Sequence, residues 1–332
     1  MGTTDGAALE ARLERYLGEG LGAVTGWFET ESAEVIAALL LHQARTGVTG
    51  DVAEIGVHHG KSFLLLANGI LDGERAVALD VFDDQHLNVD QSGKGDRAVF
   101  EQNLAAWADP AAVTVLQASS TDVEPADAAS TFGNVRLFSV DGGHTAAITA
   151  HDLRLAEACI VPDGVVVLDD ILNPAWLGVL TGLRDYIAEG GKLRAFATSA
   201  NKLYLAFPAA APSYVEHLRV AMADLLGKRD VEFFDAQVDV YGMGSPRRNR
   251  ARAAARKDAE KAVLATERFD ATIGALESRL AELETALADA RRGRAEAERR
   301  VRALTSSTSW RVTGPVRLAS RVARRVQERR KG

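Results

Sequence analysis

The chain predicts an α/β fold: a doubly wound, mostly parallel seven-stranded sheet with a C-terminal antiparallel hairpin, followed by a C-terminal coiled-coil helix. Three observations carry this. Short apolar runs alternate with helical stretches between residues 51 and 227, as βαβ units require. Acidic residues close several of those runs (Asp80, Asp141, Asp169-Asp170), and open α/β sheets collect function just past their strand ends. From about residue 256 the chain is Ala/Glu/Arg/Leu-rich and carries a heptad repeat.

The elements follow in order. Residues 8–18 and 31–46 read as helices, the second rich in Ala and Leu and long enough to pack on a sheet. Candidate strands are 51–57, 76–82, 112–118, 135–141, 164–169, 193–198 and 202–207, and candidate helices 61–71, 97–107, 145–159, 176–189 and 213–227. Only a few residues around Ser199-Ala200-Asn201 part the last two strands, which makes them a hairpin. Residues 83–96 are polar and long for a strand-to-helix connection, which suits either a lid or a solvated insertion.

The expected domains are 1–245, with a helical extension over about 1–48, then a basic linker 246–255, a coiled coil 256–304 and a basic tail 305–332. Positions 262, 266, 269, 273, 276, 280, 283, 287, 290, 294, 297, 301 and 304 step by four and three and are largely apolar, weakest at Arg294. Such a seam predicts a homo-oligomer; the competing outcome is a lone helix folded back on the first domain. Residues 311–332 carry eight basic side chains and one acidic, with Val316, Ala319, Val322, Ala323 and Val326 as a narrow apolar stripe after Trp310. This fits peripheral contact with an anionic membrane; a frayed basic tail is the alternative.

Bulk properties narrow the class. The 332 residues are 47% apolar and 26% charged, an ordinary soluble balance. The single Cys159 makes no internal disulfide and agrees with a cytoplasmic protein. Asp5, Glu10 and Glu14 near the start, without an apolar core, read as no secretory leader. Net charge −7 divides unevenly: residues 1–245 hold 16 Lys+Arg against 35 Asp+Glu, and residues 246–332 hold 23 against 11. An acidic front domain argues against nucleic acid as substrate.

The chemistry lies in four places. Three carboxylates (Asp141, Asp169 and Asp170) at neighbouring strand ends would repel one another unless a cation sits among them, and oxygen ligands suit Mg²⁺. His144, three residues after Asp141, is a candidate general base or a plain helix-start residue. Both Asp169 and Asp170 can reach one metal only if the chain bends, because neighbouring strand residues face opposite ways; Asn173 is a spare oxygen ligand. After the first strand comes Glu54-Ile-Gly56-Val-His-His-Gly60-Lys-Ser62. Its GxxxG is neither the dinucleotide GxGxxG nor a P-loop. The glycines allow a ligand to approach the backbone closely, Glu54 suits a ligand ammonium, and Asp80 suits vicinal ribose hydroxyls. His58, His59 and Lys61 either touch ligands or only shape the loop. His42, His151 and His217 read as structural, and Trp176 as acceptor pocket or core.

These residues resemble the class I S-adenosylmethionine-dependent methyltransferases. Glu54-x-Gly56-x-x-x-Gly60 is similar to their first motif, Asp80 to their acidic second motif, and Ser119 falls where they contact adenine. The resemblance spans residues 35–207 and is nearest to the metal-dependent sugar O-methyltransferases of macrolide biosynthesis and the cephalosporin-hydroxylase-like group. It implies a Rossmann-like sheet and an S-adenosyl-L-methionine site using Glu54, Gly56, Gly60, Ser62, Asp80, Ser119 and Asp141. It also implies Mg²⁺ on Asp141, Asp169 and Asp170, and His144 as base toward a sugar hydroxyl of a glycan, glycolipid or glycosylated natural product. The coil and tail resemble C-terminal extensions of cell-surface glycan enzymes, which turns the expectation toward polysaccharide synthesis at the inner membrane face. Two other readings stand beside it: a non-catalytic cofactor-sensing scaffold, and an oxygenase. The oxygenase is disfavoured because a facial iron triad wants two His and one carboxylate.

Overall fold

A computed structural model describes residues 3–242 and 246–329 of the chain. They fall into two units, Met1–Arg250 and Ala251–Gly332. The first is built on one sheet. Its strands are β1 (Asp51–Ile55), β2 (Ala76–Asp80), β3 (Val113–Gln117), β4 (Val135–Val140), β5 (Ile160–Leu168), β6 (Arg194–Ser199), β7 (Lys202–Ala206), β8 (Leu226–Phe233) and β9 (Ala236–Tyr241). The order is β3-β2-β1-β4-β5-β7-β6-β9-β8. β1 to β5 run parallel, whereas β7 is antiparallel to both β5 and β6.

All seven expected strands and the hairpin are present, but the sheet has nine strands. The extra hairpin, β8–β9, replaces the end of the helix expected over 213–227. That helix stops at Ala221; β9 pairs with β6, and β8 pairs with β9 and forms the sheet edge. A polar strand on a sheet edge has no continuous apolar run, so its period-two pattern is faint in sequence.

The helices of this unit are α1 (Thr3–Arg15), α2 (Thr30–Thr46), α3 (Phe63–Asn68), α4 (Arg97–Trp107), α5 (Ala128–Phe132), α6 (Ala146–Cys159), α7 (Leu177–Ala188) and α8 (Ala211–Ala221). They cover both faces of the sheet. Successive residues of a strand point to opposite faces, so Leu137 of β4 packs among Leu39, Leu40 and Phe63, and Phe138 packs among Leu153, Leu183 and Tyr186. Burial on both faces explains why the central strands read as unbroken apolar runs. At the end of β4 remote from Asp141, the fully buried Arg136 is held by Glu74, Gln43 and the Gly69 carbonyl. A buried guanidinium persists only when paired this completely.

The helix α9 runs from Pro246 to Ser306, so the basic stretch 246–255 is helical. Pro at its first position and a run of Ala and Arg favour that. The heptad positions 262, 266 and 269 lie outside the described side chains. Ile273, Leu276, Leu280, Leu283, Leu287, Val301 and Leu304 are all exposed. Two further helices follow, α10 (Thr308–Val312) and α11 (Gly314–Arg329), and the tail's last residues, 330–332, lie outside the described part. Among the described residues, no helix is long and apolar enough to cross a membrane.

Candidate active site

A cavity of about 550 Å³ opens at the carboxyl ends of β1, β2, β4 and β5, a size suited to a small-molecule site. The parallel order β2-β1-β4-β5 brings these ends together. Gly56, Asp80, Ser119, Asp141, His144, Asp169 and Asp170 all line it. Glu54, Gly60 and Ser62 are not among its lining residues.

Gly56 has φ +82°, and a Cβ there would lie 1.7 Å from the Asp141 carbonyl oxygen. The turn after β1 therefore sits directly on the turn after β4, and only glycine permits it. Asp80 holds the same turn from the other side. Its Oδ2 accepts the N–H groups of Val57 and His58, both at 2.7 Å, and its Oδ1 accepts that of Phe82 at 2.6 Å. A carboxylate has about four acceptor positions, so Asp80 keeps about one for a ribose, not the expected two. Glu54 is fully buried and accepts from Ser139 Oγ at 2.8 Å. Burial pushes its carboxyl up to about 8, against the Ser139 and Ser62 hydroxyls and the nearby Lys202 charge. A ligand ammonium near it would restore the charge.

β5 ends at Leu168 and the chain bends at Asp170, whose φ of +58° is unusual for a side-chain-bearing residue. The bend sends the two aspartates to different partners. Asp169 forms a buried ion pair with the Lys202 ammonium, and its Oδ1 accepts the Asp170 N–H. The cause is register. Leu168 pairs with Leu203, which sets Lys202, at the start of β7, across from Asp169. This departs from the expected ligand set, because Asp169 already has its cation. Asp170 Oδ1 accepts amide hydrogens from Asn173 at 3.0 Å and Asn201 at 2.6 Å. Asn173 thus orients Asp170, and its own Oδ1 accepts from Ala175.

His144 is the hub. Its Nε2 lies 3.0 Å from Asp170 Oδ2 and 3.8 Å from Asp141 Oδ1, and its Nδ1 lies 2.9 Å from Asp90 Oδ2. Trp176 stacks on the ring at 4.5 Å. Burial works against a charged ring here, but the carboxylates of Asp141, Asp170 and Asp90 push it up to about 10. Asp141 is itself raised, by burial and by the Asp169 charge. Asp170 is lowered in spite of burial, through its hydrogen bonds to His144 and Asn173. Asp141, His144 and Asp170 offer one donor atom each within 4.8 Å of one another, a spacing that fits one divalent cation.

Of the residues left open, His58 lines the cavity at φ +52° beside Trp27, while Lys61 bonds the Gly26 carbonyl and faces away. His42, His151 and His217 bond to Ser213, to the Ser120 and Val123 carbonyls, and to the Ala38 carbonyl, which are structural roles. Sequence reasoning missed Lys202, Asp90, Asn201 and Trp27. A lone Lys opening an otherwise apolar strand was the readable sign of Lys202. Nothing marked Asp90 among the acids of its loop.

The profile of a family described as "Methyltransferase domain" matches residues 53–171. No curated protein is significantly similar to the chain. Among solved structures it is similar to an O-methyltransferase from Bacillus cereus in complex with SAH, at 16% identity, covering 60% of this chain and 90% of that one with a TM-score of 0.41. It is also similar to the O-methyltransferase NovP, at 12% identity, 61% and 99% coverage and a TM-score of 0.45. A third is CalS11, a TDP-rhamnose 3'-O-methyltransferase of calicheamicin biosynthesis, at 16% identity, 62% and 94% coverage and a TM-score of 0.41.

Proposed function

We propose that this chain is a class I S-adenosylmethionine-dependent methyltransferase that methylates a sugar hydroxyl, with His144 as general base; the methyltransferase-domain match over residues 53–171 supports the first part. One observation carries the proposal: a histidine flanked by carboxylates faces the same cavity as the glycine turn and Asp80. An oxygen nucleophile needs its proton removed, and a positioned imidazole does this. A cavity of this volume would let acceptor and methyl donor lie side by side.

Asp141 and Asp170 would hold a divalent cation, Mg²⁺ in our reading. Bound there, it would lower the pKa of a chelated hydroxyl. The original electrostatic reason for a metal is weaker than the sequence suggests, since Lys202 neutralises Asp169. What supports the metal is that donor atoms of Asp141, His144 and Asp170 lie within 4.8 Å of one another; in this reading the two carboxylates take the cation and His144 stays beside it as base. Neighbouring sugar hydroxyls are natural bidentate partners for such a cation. The test is transfer of labelled methyl from S-adenosylmethionine to a panel of glycosides and polysaccharides, with and without EDTA. We expect loss with EDTA and recovery with Mg²⁺. Undiminished transfer in EDTA sinks the metal, and transfer only to non-sugar hydroxyls sinks the acceptor class.

The second unit supports a role in assembly. The exposed α9 seam fits pairing with further copies, and α11 sets Arg317, Arg321 and Arg324 opposite Val316 and Val322, as an anionic lipid surface would require. We expect Leu280→Asp with Leu287→Asp to lower the mass in light scattering. We expect Arg317→Glu, Arg321→Glu and Arg324→Glu together to abolish sedimentation with phosphatidylserine-containing liposomes. An unchanged mass or unchanged sedimentation refutes the corresponding part.

A further inference from the structure

We propose that Asp90, on the loop between β2 and α4, is the positioning residue of the catalytic imidazole: it fixes the ring's tautomer and ties the ring's alignment to that loop. The inference rests on His144 being the base and assigns which nitrogen acts.

The geometry is specific. Asp90 Oδ2 accepts the backbone N–H of His144 at 2.5 Å and lies 2.9 Å from its Nδ1. Both side chains are nearly inaccessible, at 9% and 8% exposure, so the pair is not a surface contact. The carboxylate is locally braced: its Oδ1 accepts the Ser92 N–H at 3.0 Å, and Asn88 Nδ2 bonds the Ser92 and Gly93 carbonyls. The next residue, Gln91, sits at φ +55°. A left-handed residue with a side chain costs of order 1 kcal/mol or more and persists where neighbouring contacts hold it. Here those contacts deliver a carboxylate 54 positions earlier in the chain onto one ring nitrogen.

The chemistry follows from the hydrogen count. A carboxylate only accepts. Asp90 therefore keeps a hydrogen on Nδ1, while Asp170 Oδ2, 3.0 Å from Nε2, accepts the second hydrogen of the charged ring; the Nε2 proton is the one given up when the ring becomes neutral, which leaves Nε2 to exchange a proton with the acceptor. Trp176 on the ring face removes the remaining rotational freedom. An amide at position 90 could instead donate to Nδ1 and favour the opposite tautomer, with hydrogen on Nε2 and no lone pair for the acceptor. In the serine protease triad, the analogous Asp→Asn change costs about 10⁴ in kcat through the wrong tautomer.

The test uses the full chain with Asp90→Asn, alongside Asp90→Glu. We expect kcat for methyl transfer to fall roughly 10²–10⁴-fold in Asp90→Asn, with partial recovery in Asp90→Glu and S-adenosylmethionine affinity within about threefold of the parent. A second readout needs no turnover. In ¹⁵N-histidine-labelled protein, assigned with His144→Gln and followed as pH is raised until the ring is neutral, long-range ¹H–¹⁵N spectra should show the remaining His144 hydrogen on Nδ1 in the parent and its loss from Nδ1 in Asp90→Asn. That result upholds the positioning role even if no acceptor is ever methylated, which would fail only the base assignment. The proposal is overturned by an unchanged His144 spectrum in Asp90→Asn, by unaltered kcat, or by cofactor affinity lost in step with activity, since that would make Asp90 a mere loop brace.

Discussion

His144→Gln should lower kcat for methyl transfer by roughly 10²–10⁴-fold, the range a lost general base commands. Under the proposed function cofactor affinity should stay near the parent's, because Asp80, not His144, bonds the turn after β1. A pH dependence accompanies this. In the empty site the His144 proton is held up to about 10 by Asp141, Asp170 and Asp90. A base must be unprotonated, so turnover should rise with pH through that titration. A divalent cation on Asp141 and Asp170 would cancel charge that holds the proton, and the acid limb should move toward neutral pH. Profiles of kcat/KM against pH at low and saturating Mg²⁺ measure this. An acid limb indifferent to Mg²⁺ would divorce the base from the metal. For stability the sign is opposite: a raised histidine adds stability that is full below its ordinary 6.5 and is lost as pH climbs through about 10.

Lys202→Met should be the most damaging change to stability near the site. Lys202 is 2% exposed and its ammonium pairs with Asp169, with Asp141 and Glu54 also close enough to raise its pKa against the cost of burial. Removing it leaves the Asp169 carboxylate buried without a counter-charge, which costs about 3–5 kcal/mol. For a unit of this size that lowers Tm by very roughly 6–20 °C. The double change Lys202→Met with Asp169→Asn should regain most of the loss, because a neutral amide of nearly the same volume keeps the Asp170 N–H bond and no charge is left buried. Thermal denaturation of the two variants measures both effects. A single variant melting within 2 °C of the parent would mean that water reaches the pair and screens it.

The alternation of strands and helices was legible because burial on both faces of a parallel sheet writes Val, Leu and Ala in unbroken runs, as in β4 and β5. A tight turn at Gly56 was legible too, but the sequence pointed to a ligand's approach there, whereas the structure sets the Asp141 carbonyl against it. The edge hairpin β8–β9 was not legible, because its exposed residues leave only weak alternation.

Sequence alone determined that Asp141, Asp169 and Asp170 close strands and that His144 follows the first of them; that these strand ends adjoin came from the sheet order that the resemblance implies, and the strand order agrees with it. Sequence also determined the heptad seam, a property of spacing only. The tertiary structure decided what each acid does. Cross-strand register gave Asp169 to Lys202, one bend gave Asp170 to His144, and a loop from another crossover brought Asp90 to the ring's far side. Those pairings depend on distances between residues dozens of positions apart. Local pattern carries no record of them; it reports which faces are buried, whereas a charge's partner is set by the packing that buries it.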